Sequence, residues 1–198
     1  MNRLADVLIA GTGLALASPV LGLAALAIKL EDGGPILYRQ TRVGKDGRDF
    51  ELLKLRTMVV GAERLGSGYA VNAGDPRITR VGRVLRRTSI DELPQLWNVL
   101  RGDMSVIGPR PTLRYQVEQY DARQRRRLEV KPGLTGWAQV NGRAALPWTE
   151  RIELDIWYVE HRSPLVDLKI LLRTPLALFR GTYKGATGGW RSAPPDAR

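Results

Sequence analysis

Val7–Ile28 reads VLIAGTGLALASPVLGLAALAI, 22 residues without a charge. A bilayer core is about 30 Å thick and a helix rises about 1.5 Å per residue, so an unbroken helix of this length would cross it. Pro19 argues against a straight rod, because a proline inside a helix removes a backbone donor and crowds the preceding turn. A kink or break is expected at Ser18-Pro19. The two arms would then reach about 18 Å and about 14 Å, and neither crosses alone. A re-entrant hairpin that dips into one leaflet is therefore as good a reading as a span, with the Ser18 hydroxyl at hand for backbone groups freed by the break. A cleaved leader is a weaker third reading. Ala15-Leu16-Ala17 resembles a small-residue cleavage site, but Asp6 weakens the positive leader and the apolar run continues past Pro19. If the segment spans, the basic flank of Lys29, Arg39, Arg42, Lys45 and Arg48 stays cytoplasmic, and both membrane topologies leave the main domain there.

The whole chain has 198 residues, enough for one modest core, and shows no second composition block and no internal repeat. Its net charge of +11 calls for an acidic partner: nucleic acid, anionic lipid or a phosphorylated substrate. Cysteine is absent and His161 is the one histidine, so disulfides, thiolate metal sites and histidine clusters are excluded.

Outward from the apolar segment the pattern is α+β and mainly helical. Gly33–Met58 reads as a hairpin, with PILYRQTRV and RDFELLKLRT around Gly44-Lys45-Asp46-Gly47, where the Asp-Gly step suits positive φ. Gly61–Pro76 lacks periodicity and reads as a mobile loop beside the site. Asp75-Pro76 should turn into a helix carrying Arg80, Arg83 and Arg87 on one face. KPGLTGWAQVNGR, Lys131–Arg143, reads as turns around a short apolar WAQV strand. Arg123, Arg125, Arg126, Arg127 and Lys131 form a basic cluster suited to anionic lipid. Trp148, Ile152, Ile156 and Val159, then Leu165, Leu168 and Leu172, repeat at helical spacing as core helices. Leu165–Phe179, edged by Lys169, Arg173, Arg180 and Lys184, also suits a membrane interface and should bend at Pro175. Residues 1–30 are the membrane segment, 31–184 the catalytic part, and 185–198 a tail expected to be disordered.

The chemistry concentrates in SIDELPQLWNVLRGDMSVIGPRP, Ser89–Pro111. Asp91 and Glu92 adjoin Arg83, Arg86 and Arg87, and Arg110 lies between two prolines whose stiffness suits a substrate clamp. Guanidinium forks match phosphate oxygens, while an aspartate beside a carboxylate that holds a divalent cation can act as nucleophile or ligand. The competing account is plain capping. Ser89 and Glu92 fit a capping box, Asp91 fits an N-cap, and Pro94 suits the first turn of the next helix. Successive helical side chains diverge, so the two acids should have different tasks rather than share a proton.

These segments resemble a known family. The Ser18-Pro19 apolar segment, KLRTM at Lys54–Met58, DELPQLWNVLRGDMSVIGPRP at Asp91–Pro111, and KPGLTGWAQVNGR at Lys131–Arg143 are similar to the bacterial sugar transferases, the small monotopic phosphoglycosyl transferases. The likeness covers roughly residues 1–180. It implies a re-entrant membrane helix broken at Ser18-Pro19 and interfacial amphipathic helices around a cytoplasm-facing active site on the bacterial inner membrane. The implied reaction moves a sugar 1-phosphate from a UDP-sugar to polyprenyl (undecaprenyl) phosphate through an aspartyl-phosphosugar, with release of UMP. Asp91 would be the nucleophile, Asp91 and Glu92 would hold Mg²⁺, and Lys54, Arg86, Arg110 and Arg143 would bind phosphate. Membrane lipid is an expected partner, a homodimer is compatible, and nucleic acid is not expected. Residues 61–74 and the tail match no motif and are where sugar choice would reside.

Two other classes compete. A basic nucleic-acid-binding protein accounts for the charge but not for the uncharged N-terminal segment, and no helix-turn-helix, zinc knuckle or aromatic strand motif is evident. An inactive membrane-bound scaffold would leave Asp91 and Glu92 as caps.

Overall fold

The computed structural model describes residues 1–65, 71, 74–142 and 145–179. Helix α1, Arg3–Asp32, runs for 30 residues, opened by the Asn2 side chain accepting from the Ala5 amide and closed by Gly33 at φ 69. It is a single hydrogen-bonded element through Pro19, so the expected division into two arms is not seen. Proline removes the amide that would have bonded the Ala15 carbonyl, and the Ser18 hydroxyl donates to that same oxygen at 2.8 Å. The Ser-Pro pair thus carries its own repair.

Little of α1 is covered by the rest of the chain. Its buried residues are Asp6, Ala10, Ala24 and Ile28, while Leu16, Leu23 and Leu30 are exposed. It is long and apolar enough to cross a membrane. Yet both ends are bonded to the folded domain. Near the start, Asp6 accepts from the Ser105 hydroxyl and the Val106 amide, each at 2.8 Å. Near the end, Glu31 caps the next long helix by accepting from the Arg80 amide at 2.7 Å, and Asp32 pairs with Arg56. Between them Ala24 and Ile28 pack with Leu55 and Leu85.

Strands β1 (Leu37–Val43) and β2 (Asp49–Leu55) form the expected antiparallel hairpin, paired from Leu37 opposite Leu55 to Val43 opposite Asp49. The Asp-Gly step takes positive φ at both residues, 56 at Asp46 and 75 at Gly47. Helix α2, Arg80–Thr88, follows the Asp75-Pro76 turn, with its N-cap at Thr79. Arg80, Arg83 and Arg87 are exposed, and Arg86 is the arginine that turns inward. Helix α3, Gln95–Arg101, contributes fully buried Asn98, whose side chain accepts from the Leu53 amide at 3.0 Å and donates to the Glu51 carbonyl at 2.7 Å. One amide group therefore closes the outer edge of β2 on either side of Leu52, next to Lys54.

The second sheet pairs β3 (Ser105–Ile107) in parallel with β4 (Gly133–Thr135). Here two sequence motifs meet backbone to backbone. A Cβ on Gly108 would lie 2.3 Å from the Lys131 carbonyl oxygen, and one on Gly133 would lie 2.0 Å from the Gly108 nitrogen. The close approach requires glycine, and it sets Pro109-Arg110-Pro111 over β4. The expected WAQV strand is instead a helical turn, α6 (Trp137–Val140), because the extended pairing ends at Thr135 and buries Ala138 and Gln139 on the turn that follows.

Short helices α4 (Arg114–Glu118) and α5 (Ala122–Arg125) lead into the basic cluster. The structure withdraws Arg127 from the lipid-facing reading of that cluster. Arg123 and Arg126 pair with Glu153 and Glu160 of helix α7 (Trp148–His161), and Arg127 is buried against Asp155. Ile152 and Ile156 are core, as the spacing predicts. In helix α8, Pro164–Phe179, the leucine stripe faces the other way from the core expectation: Leu165 is 79% and Leu172 72% exposed, while Ile170 is buried. Periodicity identifies a face without saying what covers it. The helix continues through Pro175. His161 is exposed, stacked on Trp157. The tail, 185–198, and much of the 61–74 loop lie outside the described residues.

Asn98→Ala should destabilise the protein by about 1–3 kcal/mol, because two strand groups lose their partner without access to water. Thermal unfolding in detergent should show the drop, and an unchanged midpoint would refute the role given to Asn98.

Candidate active site

Asp91 and Glu92 lie on a single 3₁₀ turn, Ile90–Glu92, between α2 and α3. The expected caps are not there. Ser89 adopts φ 58 as the left-handed residue that ends α2, and the N-cap position of α3 is Pro94, with no side-chain cap bond. Pro94 and the left-handed serine set the turn, so neither carboxylate is needed to hold a helix end. Ser89 stays in a sparsely populated backbone region at a cost of about 1 kcal/mol or more, a strain that keeps the acids off the helix.

The two acids then part company. Glu92 accepts from Lys54 Nζ at 2.9 Å and from both terminal nitrogens of Arg110, one of them at 3.3 Å. Burial pushes its carboxyl up, but Arg110 and Lys54 outweigh that and hold it well below the ordinary glutamate range. Burial pulls the Lys54 ammonium down, against the pull of Glu92. Asp91 is 7% exposed and has no hydrogen-bond donor among the described residues. Burial raises it to about 6, opposed by Lys54 and reinforced by Glu92.

Each cation is aimed by its element. Lys54 extends from β2, whose position Asn98 sets. Arg86 reaches in from α2, and its Nε donates to Thr57 Oγ1 at 2.7 Å. Arg110 is gripped at the backbone on both sides: the Gly133 amide donates to the Pro109 carbonyl at 2.9 Å, and Arg127 donates to the Arg110 carbonyl at 3.0 Å. The backbone under Arg110 is thus held at two points, as stiff a mounting as the paired prolines predict. Arg143 lies outside the described residues.

These side chains line a cavity of about 770 Å³ whose wall holds eight arginines and lysines against four carboxylates. Such a balance suits an anion with several phosphate oxygens. Arg42 and Arg151 also line it, and sequence reading did not assign them to the site. A signal existed for the first, since Tyr38, Gln40 and Arg42 alternate along β1 as its less exposed face. Thr57, inside the KLRTM motif, orients Arg86 by accepting from its Nε, a role that its place in the sequence does not signal.

Among the described residues no group of three acids or histidines could hold a metal by itself. The donor set nevertheless fits a divalent cation that brings its own oxygen ligands. Asp91 is a buried carboxylate without a donor, and Mg²⁺ commonly takes one or two carboxylates plus substrate phosphates.

Comparison with known proteins agrees with the geometry. The family model for bacterial sugar transferases matches residues 1–181. The chain is 51% identical over 186 residues to the UDP-glucose:undecaprenyl-phosphate glucose-1-phosphate transferase of Caulobacter vibrioides, covering 90% of this chain and 69% of that one. It is 45% identical over 174 residues to the uncharacterized sugar transferase EpsL of Bacillus subtilis, covering 88% and 85%. It is 43% identical over 187 residues to the UDP-N-acetylgalactosamine-undecaprenyl-phosphate N-acetylgalactosaminephosphotransferase of Aeromonas hydrophila, covering 91% of this chain but 44% of that longer protein. With nearly the whole described chain inside one family model and the motif residues gathered around a single cavity, the protein belongs to the bacterial sugar transferase family.

Proposed function

We propose that this protein transfers a sugar 1-phosphate from a UDP-sugar to polyprenyl (undecaprenyl) phosphate, through a phosphosugar held on Asp91, at the first step of building a glycoconjugate. The observation that carries this reading is the contrast between the two acids: Glu92 is paired with Lys54 and Arg110, whereas Asp91, beside them, has no donor among the described residues and lines the cationic cavity. Asp91 Oδ attacks the β-phosphorus, a new P–O bond forms, and the bond to the bridging oxygen breaks, sending the electron pair out on UMP. A phosphate oxygen of the lipid then attacks the same phosphorus and the Asp91 carboxylate is restored. Neither step needs a proton. Lys54, Arg86, Arg110 and Arg143 bind the phosphate oxygens on which charge develops. Mg²⁺ would be held by Asp91 and Glu92 together with diphosphate oxygens, and when bound it supplies charge neutralisation.

The location proposed is the bacterial inner membrane, with the site facing the cytoplasm and without a full crossing. Support comes from α1, whose two ends are about 45 Å apart along the axis and yet both are bonded to one domain. A span would carry one end to the far side. The exposed leucines of α8 suit an interfacial seat for the same domain. The inactive-scaffold reading loses its basis, since neither acid caps a helix.

Asp91→Asn should lower turnover by about 10³-fold or more while the fold survives. Mass spectrometry of detergent-solubilised protein with Mg²⁺ and a panel of UDP-sugars should find a phosphosugar adduct and UMP with the native chain alone; full activity in the variant would end the proposal. The same variant should be more stable at pH 8 in chelating buffer. The native carboxyl keeps its proton up to about pH 6, the unfolded one only to about 3.9, so stability falls between those values and asparagine avoids a loss of about 1–3 kcal/mol. Melting curves should separate at pH 8 and converge below pH 4. Topology is readable because the chain has no cysteine: Asn2→Cys and Arg39→Cys should be labelled by an impermeant maleimide from the same side of inner-membrane vesicles, and labelling from opposite sides would establish a span.

A further inference from the structure

The wall of the cavity that holds Asp91 includes two arginines that lie outside the four motifs. There β1 presents Arg42 and α7 presents Arg151, both lining the same space as Arg110. Arg42 donates to the Pro111 carbonyl at 3.4 Å and to Gln40, and Arg151 lies over the Trp148 ring at 5.1 Å. Neither has a carboxylate partner among the described residues. The Nε of each is buried without an acceptor. The nearby acids are already engaged: Glu92 by Lys54 and Arg110, Asp155 by Arg127 through one of its two oxygens. Burial lowers both guanidinium groups, Arg42 to about 10, and the charge of Arg110 lowers each of them further. Three mutually repelling guanidinium groups that line one cavity, two of them with a buried Nε lacking an acceptor, make a receptor for a doubly charged anion.

The chemistry of the proposed reaction, on which this inference rests, says which anion. Displacement at phosphorus puts the attacking and leaving oxygens in line. When Asp91 attacks, the UMP oxygen departs from the opposite side; when the lipid attacks, it must enter opposite Asp91. Both species carry a phosphate monoester, and both place it at the same apex.

We propose that Arg42 and Arg151, acting with Arg110, form one phosphomonoester subsite, filled first by the departing nucleoside monophosphate and then by the incoming lipid phosphate.

The test uses the full chain in detergent with Mg²⁺ and the UDP-sugar that yields UMP, and compares the native protein with Arg42→Gln, Arg151→Gln and the corresponding lysine variants. One arm follows exchange of labelled UMP into UDP-sugar without lipid. The other adds undecaprenyl phosphate to preformed adduct and follows its decay. Each glutamine variant should raise the half-saturating concentrations of UMP and of lipid phosphate together, by about tenfold or more for a lost charged contact, and lysine should restore part of both. A change confined to one arm, or to neither, overturns the shared subsite. If a glutamine variant melts early, the lysine variant with native melting behaviour decides, and equal half-saturation in both arms again overturns the inference. A native protein that forms no adduct would overturn the functional reading itself; adduct formation with unaltered variants would overturn the subsite alone.

Discussion

The Glu92 carboxylate, shared between Lys54 and Arg110, is the contact on which the site depends. It joins β2, the turn after α2 and the proline-flanked loop after β3, three segments far apart in the chain. Its second effect is electrostatic. It occupies Lys54 and Arg110, while Asp91 is buried without a donor among the described residues, so neighbouring carboxylates with the same chemistry take opposite ionisation behaviour. A pair of groups driven apart in this way is suited to separate tasks, one holding the frame and the other free for chemistry.

Much of this was readable from residues alone. The Asp-Gly step announced the hairpin turn, Asp75-Pro76 announced the helix after it, and the Ser18 hydroxyl was a foreseeable partner for a carbonyl freed by Pro19. Lys54, Arg86, Asp91, Glu92 and Arg110 do line one cavity, as the motifs suggested. What was not readable depended on long-range packing. Asp91 and Glu92 matched capping rules because those rules are local, and only the left-handed Ser89 and the placement of Pro94 show that the helix starts later. Arg127 reads as a surface charge until Asp155 arrives from α7 to meet it. The leucines of α8 keep helical spacing whether they face a core or an outside phase.

The glycine crossing gives the motifs a mechanical sense. Gly108 and Gly133 let two backbones approach more closely than any side chain permits, and the amide of Gly133 holds Pro109 while Arg127 holds the carbonyl of Arg110. A guanidinium mounted on so stiff a base gives up little conformational freedom when it grips an anion. The two separated motifs are therefore halves of one mounting, which is why neither makes structural sense when read alone.

Asn98 has a consequence beyond fixing β2. A two-stranded hairpin offers unpaired backbone on both flanks, which another chain can extend by adding a strand. Here the β2 flank is met by the Asn98 amide and the β1 flank by Thr112, whose carbonyl accepts from Val43 at 2.9 Å. A protein crowded against its own copies in the plane of a bilayer would otherwise be prone to edge-to-edge association, and these two polar residues make that route costly without adding a third strand.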